Sequence, residues 1–180
     1  MPNSKWLKPA AFFLVLGLTP LPGVKADEPL AVRQKAPPFQ LQAQDGRTIS
    51  LADRRGKGWT VLYFYPKAGT PGCTTQACAF RDALREVRDQ NAEVYGVSTD
   101  AAPVLAEFHK KYRLNFTLQS EPDACVTDAY GVKLPVVKVA KRWTFIIDPE
   151  LVIRDINDDV DPALDAKIVA GRLKKLRGGG

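Results

Sequence analysis

Two cysteines, Cys73 and Cys78, follow an apolar run at residues 59–65. The loop between this run and Cys73 contains two prolines and two glycines, and helical periodicity begins at Cys73. The pattern therefore places Cys73 where a buried strand gives way to the start of a helix. The first backbone N–H groups of a helix have no partner within it, and their partial positive charge favours thiolate over thiol. The sequence thus predicts a reactive cysteine at position 73.

The spacing of the two cysteines argues against a structural disulfide. On one α-helix, five residues turn through about 500° and rise about 7.5 Å, so the Cα atoms of Cys73 and Cys78 would be roughly 8.6 Å apart. A disulfide needs Cα atoms within about 7 Å of each other. The bond can therefore form only if the helix unwinds, which suits a catalytic cycle better than a scaffold.

The sequence around these cysteines resembles that of a known enzyme family. The pattern P-x-x-x-T-x-x-C ends at Cys73 and is similar to the active-site signature of the peroxiredoxins. The longer string YFYPKAGTPGCTTQAC, residues 63–78, resembles the peroxiredoxin Q branch, also called the bacterioferritin comigratory protein family. The likeness continues at GVSTD, residues 96–100, and at RWTFIID, residues 142–148. It covers nearly all of the chain after about residue 30.

The resemblance implies a thiol-dependent peroxidase that reduces hydrogen peroxide and organic hydroperoxides without a metal or an organic cofactor. It implies that Cys73 attacks the peroxide and becomes a sulfenic acid, and that Cys78 then forms a disulfide with it. Thr70 would present its hydroxyl to the peroxide, Arg142 would be the cation near the thiolate, and Pro66 would shield the thiolate from water. A thioredoxin-like or other dithiol partner would reduce the disulfide.

Each of these residues also has a structural interpretation. Thr70 is placed to cap a helix, Arg142 is one of many arginines that a surface holds, and Cys78 has the character of a small buried hydrophobe. Cys125 is predicted to be a packed core thiol rather than a participant in catalysis. His109 is predicted to lie on the solvated face of a helix.

Two other functions remain open from the residues alone. A thiol–disulfide oxidoreductase of the same fold would be expected to carry C-x-x-C, whereas four residues separate Cys73 from Cys78. A copper-delivery protein would want C-x-x-x-C and a ligand histidine, and a copper titration would distinguish it. Since His109 is the only histidine, a multi-histidine metal site or a Ser–His–Asp triad has little support.

The first 26 residues are predicted to form a secretory signal peptide. Lys5 and Lys8 precede a short apolar core at residues 10–18, and a small-residue cleavage pattern follows at residues 24–26. Nine apolar residues are too few to span a bilayer, which takes about 20. We therefore expect an exported, periplasmic protein that starts near Asp27, without stable membrane insertion.

The length, composition and charge of the chain limit its domain number and its possible partners. A chain of 180 residues with 45% hydrophobic residues is long enough for one domain, predicted at residues 27–180. The net charge of +6 falls to +3 when the three lysines of the predicted leader are removed, and acidic residues alternate with the basic ones that remain. This distribution does not favour nucleic-acid binding. A monomer is the favoured state, with a dimer as the alternative.

The predicted elements must place Cys73 and Arg142 together. Alternating residues on either side of Asp45-Gly46 predict an N-terminal β-hairpin, residues 39–42 and 48–51. Further strands are predicted at residues 59–65, 94–98, 143–147 and 152–156, and helices at residues 73–90, 103–112, 123–130 and 162–176. This order predicts an α/β protein with a mixed central sheet, helices on both faces and the thioredoxin-like fold.

Overall fold

Seven strands form one mixed sheet in the computed structural model, which describes residues 30–179. The strands are β1 (Gln40–Ala43), β2 (Thr48–Ser50), β3 (Trp59–Phe64), β4 (Ala92–Ser98), β5 (Thr117–Ser120), β6 (Trp143–Ile147) and β7 (Ile153–Asn157). Their order across the sheet is β2-β1-β5-β4-β3-β6-β7. The predicted N-terminal hairpin is confirmed as β1 and β2, and the predicted C-terminal hairpin as β6 and β7, which pair antiparallel.

Strand β3 lies at the centre of the fold. It pairs in parallel with β4 and antiparallel with β6. Side chains on both of its faces are buried, Val61 and Tyr63 on one and Leu62 and Phe64 on the other. The sequence prediction of a central strand here is confirmed, and the strand delivers the chain to the loop that precedes Cys73.

Four helices complete the fold: α1 (Pro71–Arg88), α2 (Ala102–Lys111), α3 (Cys125–Ala129) and α4 (Asp165–Gly178). Side chains of α1, α2 and α4 share one hydrophobic cluster with the Tyr63 face of β3. The Leu62 face packs against the short helix α3 and the chain after it, the 3-10 turn Leu51–Arg54 and the segment before β1. Both faces are therefore covered, but the second is covered by short elements instead of long helices.

Strand β5 was not predicted from the sequence. It pairs in parallel with β4 and antiparallel with β1, so it joins the hairpin to the rest of the sheet. Its residues are Thr, Leu, Gln and Ser, and Gln119 and Ser120 are buried. The hydropathy pattern did not predict this strand, because its buried side chains are mostly polar and only Leu118 has the hydropathy of a core residue.

Smaller differences concern element ends and the leader. Helix α1 begins two residues earlier than predicted, at Pro71, because proline is well suited to the first helical position. Helix α4 begins at Asp165 rather than near residue 162, after a turn held by Asp161. The predicted signal peptide lies outside the described residues. None of the helices within residues 30–179 is both long and apolar enough to cross a membrane.

Gly96 allows a tyrosine to cross β4 beneath helix α1. A Cβ atom at position 96 would lie 2.7 Å from Cζ and from the hydroxyl oxygen of Tyr63, and 2.9 Å from Cδ2 of Leu118. The ring of Tyr63 stacks on Phe80 of α1 with 4.8 Å between ring centroids. The glycine therefore lets the central strand support the helix that carries Cys73.

We predict that Gly96→Ala lowers the free energy of unfolding by about 1–3 kcal/mol, because the added methyl group overpacks the core. Gly171→Ala is the matched control, since nothing lies within 4 Å of a Cβ built there in α4. It should raise the free energy of unfolding by about 0.5–1 kcal/mol, the usual advantage of alanine over glycine in a helix. Urea unfolding of both variants checks the prediction, and equal effects of the two substitutions would contradict it.

Candidate active site

Cys73 lies in the first turn of α1 with its side chain buried, 1% exposed. Thr70 is the N-terminal cap residue and Pro71 has no N–H group. The first intrahelical hydrogen bond runs from the Thr74 nitrogen to the Thr70 oxygen, at 2.9 Å. The N–H groups of Gly72 and Cys73 therefore have no intrahelical acceptor, as the sequence predicted, and they lie at the positive end of the helix dipole.

Arg142 approaches this sulfur from the segment just before β6. Its Nη2 lies 3.4 Å from the Cys73 Sγ, and its Nη1 donates a 2.7 Å hydrogen bond to Gln76 Oε1. Gly72 leaves room for the guanidinium, because a Cβ atom there would lie 3.1 Å from Nη2. The structure thus brings together two predicted site residues that lie 69 positions apart in the sequence.

The loop between β3 and α1 is held by the end of β4. The Ala68 nitrogen donates to Asp100 Oδ2 at 2.8 Å, and the Ser98 hydroxyl donates to the same oxygen at 3.0 Å. These bonds give the GVSTD motif a role that sequence reasoning missed, since the motif fixes the loop that carries the half-buried Pro66 and Thr70.

Thr70 occupies the predicted cap position but does not cap the helix with its side chain. Its hydroxyl donates instead to the Lys67 carbonyl at 3.0 Å, within the same loop. The hydroxyl oxygen therefore still has lone pairs to offer beside the start of α1. The roles of Thr70 and Pro66 toward a peroxide remain predictions.

Cys78 lies half-buried on α1, on the same helix as Cys73, and both are free thiols. Two cysteines five residues apart on one α-helix have Cα atoms about 8.6 Å apart, which is farther than a disulfide allows. Within α1 the two thiols cannot join. A disulfide between them requires the first turns of the helix to open.

The prediction for Cys125 was wrong. Cys125 is an exposed free thiol at the first position of α3, not a packed core residue. Thr127 takes the buried position instead, and both its backbone nitrogen and its hydroxyl donate to Glu121. His109 lies half-buried in the last turn of α2, so its predicted solvated position is only partly correct.

A buried polar network behind Arg142 was also missed. Gln76 Nε2 donates to Asp165 Oδ2 at 2.8 Å, and Thr144 Oγ1 donates to the same oxygen at 2.7 Å. Asn157 Nδ2 donates to Asp165 Oδ1 at 3.2 Å. Burial raises the pKa of the Asp165 carboxyl above its ordinary value, although these three hydrogen bonds oppose the shift. Within residues 30–179, no group of His, Cys, Asp and Glu side chains is arranged to hold a metal ion.

The chain is similar in sequence to proteins of one known family. The model of the AhpC/TSA family matches residues 32–156. Peroxiredoxin Bcp of Escherichia coli K12 is 38% identical over 153 residues, which are 82% of this chain and 97% of that protein. The chain belongs to the peroxiredoxins of the AhpC/TSA family. It is similar to their Bcp and PrxQ members, as the resemblance of its motifs predicted.

Solved structures of this peroxiredoxin group share the fold. The peroxidoxin BcpB of Mycobacterium tuberculosis has a TM-score of 0.77 and 31% identity, with 81% of this chain and 97% of that chain covered. The bacterioferritin comigratory protein of Xanthomonas campestris has a TM-score of 0.72 and 30% identity, with 77% and 91% covered. The predicted thioredoxin-like fold is confirmed. The protein is a thiol peroxidase, with a peroxide as substrate and a thiol as reductant.

Proposed function

We propose that Cys73 is the residue that reduces the peroxide and that Arg142, Thr70 and Pro66 form its site. One observation carries the proposal: the buried Cys73 sulfur lies at a helix start with a guanidinium nitrogen 3.4 Å away. A buried thiol would ordinarily stay neutral. A cation and free N–H groups at that place favour the thiolate, which is the nucleophile.

Thiolate formation alone does not account for a fast peroxidase. An ordinary thiol with a pKa near 8.5 is about 3% thiolate at pH 7, so complete ionisation gains at most about 30-fold. The rest must come from groups that align the peroxide with the sulfur and stabilise charge on the leaving oxygen. Arg142 and the Cys73 N–H group are donors for that charge, and Thr70 is the hydroxyl that orients the substrate.

The first step transfers two electrons from the Cys73 sulfur to the peroxide. The Cys73 thiolate attacks the terminal peroxide oxygen, the O–O bond breaks, and a proton converts the leaving oxygen to water or an alcohol. Cys73 becomes a sulfenic acid. Both hydrogen peroxide and organic hydroperoxides are proposed substrates, and the X. campestris relative is described by its alkyl peroxide reduction activity.

Cys78 is proposed to resolve the sulfenic acid. The first turns of α1 unwind, the Cys78 sulfur attacks the Cys73 sulfur, the new S–S bond replaces the S–O bond, and water leaves. A dithiol partner then gives two electrons to this disulfide and becomes a disulfide itself. A monomer suffices for this cycle, since both cysteines belong to one chain.

Export to the periplasm is a further part of the proposal, supported by the sequence of residues 1–26. An oxidising compartment keeps disulfides formed, so the dithiol partner there would have to draw electrons from a membrane-linked relay. Cell fractionation followed by N-terminal sequencing should find the chain outside the cytoplasm, starting near Asp27. Recovery of a cytoplasmic protein that retains Met1 would contradict export.

Two substitutions test the site. Cys73→Ser should abolish peroxide reduction, because a hydroxyl is a poor nucleophile at neutral pH.

Arg142→Ala should slow the reaction with peroxide by about 10²–10³-fold, the usual effect of removing one donor to a developing anion. Arg47→Ala is the matched control, since Arg47 pairs with Asp45 on an exposed turn. Stopped-flow kinetics of the reduced protein measures all three, and an unchanged rate in Arg142→Ala would remove that arginine from the site.

The Cys78 proposal is tested by peptide mapping. Peroxide treatment should join Cys73 to Cys78 within one chain and lower the helix content of this segment, because the bond cannot form within α1. Cys78→Ser should consume one equivalent of peroxide and stop at the sulfenic acid or a higher oxide, whereas the exposed Cys125 should be replaceable by serine without effect. A disulfide from Cys73 to Cys125 or to a second chain would overturn this step while leaving the peroxidase activity in place.

A further inference from the structure

A chain of hydrogen bonds, buried at Asp165 and half-buried at Arg142, links the arginine beside Cys73 to a carboxylate at the start of α4. Asp165 Oδ2 accepts from Gln76 Nε2 at 2.8 Å, and Gln76 Oε1 accepts from Arg142 Nη1 at 2.7 Å. The other terminal nitrogen of Arg142 lies 3.4 Å from the Cys73 sulfur. Within this chain of bonds, Asp165 reaches the sulfur through two intervening side chains.

The direction of the Gln76 amide depends on its two neighbours. A guanidinium can only donate hydrogen bonds, an ionised carboxylate can only accept them, and an amide has one group of each kind. Gln76 is completely buried, so both ends of its amide need a partner. The carboxylate of Asp165 therefore fixes the amide nitrogen on its side and the amide oxygen toward Arg142. Without an acceptor at position 165, the amide can turn its NH₂ group toward the guanidinium and repel it.

Asp165 is itself held from two strands. Thr144 of β6 donates to Oδ2 at 2.7 Å and Asn157 of β7 donates to Oδ1 at 3.2 Å. Burial raises the pKa of Asp165 above its ordinary value of 3.8, so the group adds most to stability at pH values below 3.8 and loses this contribution as pH rises through its raised pKa. Burial makes this carboxyl group harder to ionise than in water, and the hydrogen bonds that it accepts from Gln76, Thr144 and Asn157 offset part of that cost.

The same link crosses the segment that must unwind. Gln76 lies between Cys73 and Cys78 in the first turns of α1. When these turns open, the Gln76 side chain leaves both Arg142 and Asp165, and a buried carboxylate loses one of its donors. The network therefore stabilises the folded form, which reacts with peroxide, over the unwound form, which makes the disulfide.

We propose that Asp165 is a positioning residue that acts through Gln76: it holds Arg142 against Cys73 for the peroxide step and resists the unwinding that disulfide formation requires. The proposal rests on the function proposed above for Cys73 and Cys78. It assigns Asp165 opposite effects on two successive steps of the cycle. A general loosening of α1 would also produce them, so the test asks in addition whether the effect of Asp165 passes through Gln76.

The test uses Asp165→Leu, which has a similar shape but no acceptor. In the Cys78→Ser background, stopped-flow kinetics should show the peroxide step slowed about tenfold, as expected for one lost hydrogen bond to a charged group. With both cysteines present, quenched-flow mass spectrometry should show disulfide formation accelerated by about tenfold, because the folded form then lacks the same hydrogen bond. Asp161→Asn is the matched control, since Asp161 accepts from the Ala163 and Leu164 nitrogens just before α4 and its replacement should change neither rate.

A double-mutant cycle tests whether the effect passes through the amide. Gln76→Met removes the amide with little change of volume and should slow the peroxide step as much as Asp165→Leu does. Adding Asp165→Leu to Gln76→Met should then slow this step no further. Slowing that multiplies in the double variant would overturn the proposal, as would equal slowing of both steps by Asp165→Leu alone.

Two more variants guard against a trivial loss of folding. Asp165→Ala leaves room for water to accept from the donors that lose Asp165, on Gln76, Thr144 and Asn157. It replaces Asp165→Leu if circular dichroism shows that Asp165→Leu is unfolded. Asp165→Asn should react at close to the wild-type rate, because its carbonyl can accept from Gln76 and Thr144 while the Asn157 amide turns over. If Cys78→Ser consumes no peroxide, the proposed function fails. If it consumes one equivalent and the folded Asp165→Leu or Asp165→Ala variant reacts at the wild-type rate, only the proposal for Asp165 fails.

Discussion

The contact between the Arg142 guanidinium and the Cys73 sulfur depends on how β3 and β6 lie side by side. The two strands are antiparallel, and Phe64 at the end of β3 is paired with Trp143 at the start of β6. The loop that leaves β3 and the residue that enters β6 are therefore at the same edge of the sheet. A shift of one residue in this register would carry Arg142 to the opposite face. The chemistry of the site thus depends on strand pairing before it depends on any side chain.

The surroundings of Cys73 strengthen that contact. Cys73 belongs to the same buried cluster as Tyr63 and Tyr65, whose rings lie with their centroids 5.4 Å apart. Burial raises the pKa of both tyrosines, so they remain neutral phenols. An ion pair between Arg142 and a thiolate is stronger in such apolar surroundings than in water. The same surroundings would disfavour a lone thiolate, so the arginine and the helix start are needed together.

Sequence reasoning succeeded where chemistry and periodicity coincide. The run from Trp59 onward, the loop and Cys73 are adjacent in the chain, so the strand, the helix start and the thiol could be predicted together. Arg142 was predicted because a known motif contains it. Asp165 had no such signal, since 89 residues separate it from Gln76 and its side-chain partners come from three other elements, α1, β6 and β7. Strand β5 and the exposed Cys125 were missed because burial there follows tertiary packing and not hydropathy.

Helix α1 is divided into two parts by what holds it. Its first turns carry the two cysteines and place only the small side chains of Cys73 and Ala77 in the hydrophobic core, whereas the remainder places the larger Phe80, Leu84 and Val87 there. Arg81 adds a bond to the Tyr112 carbonyl at the end of α2. We therefore expect unwinding to stop before Phe80, which is completely buried and stacks on Tyr63. A second cysteine beyond that point could be reached only by breaking the core, so the packing of one phenylalanine limits how far apart the two thiols can lie along the helix.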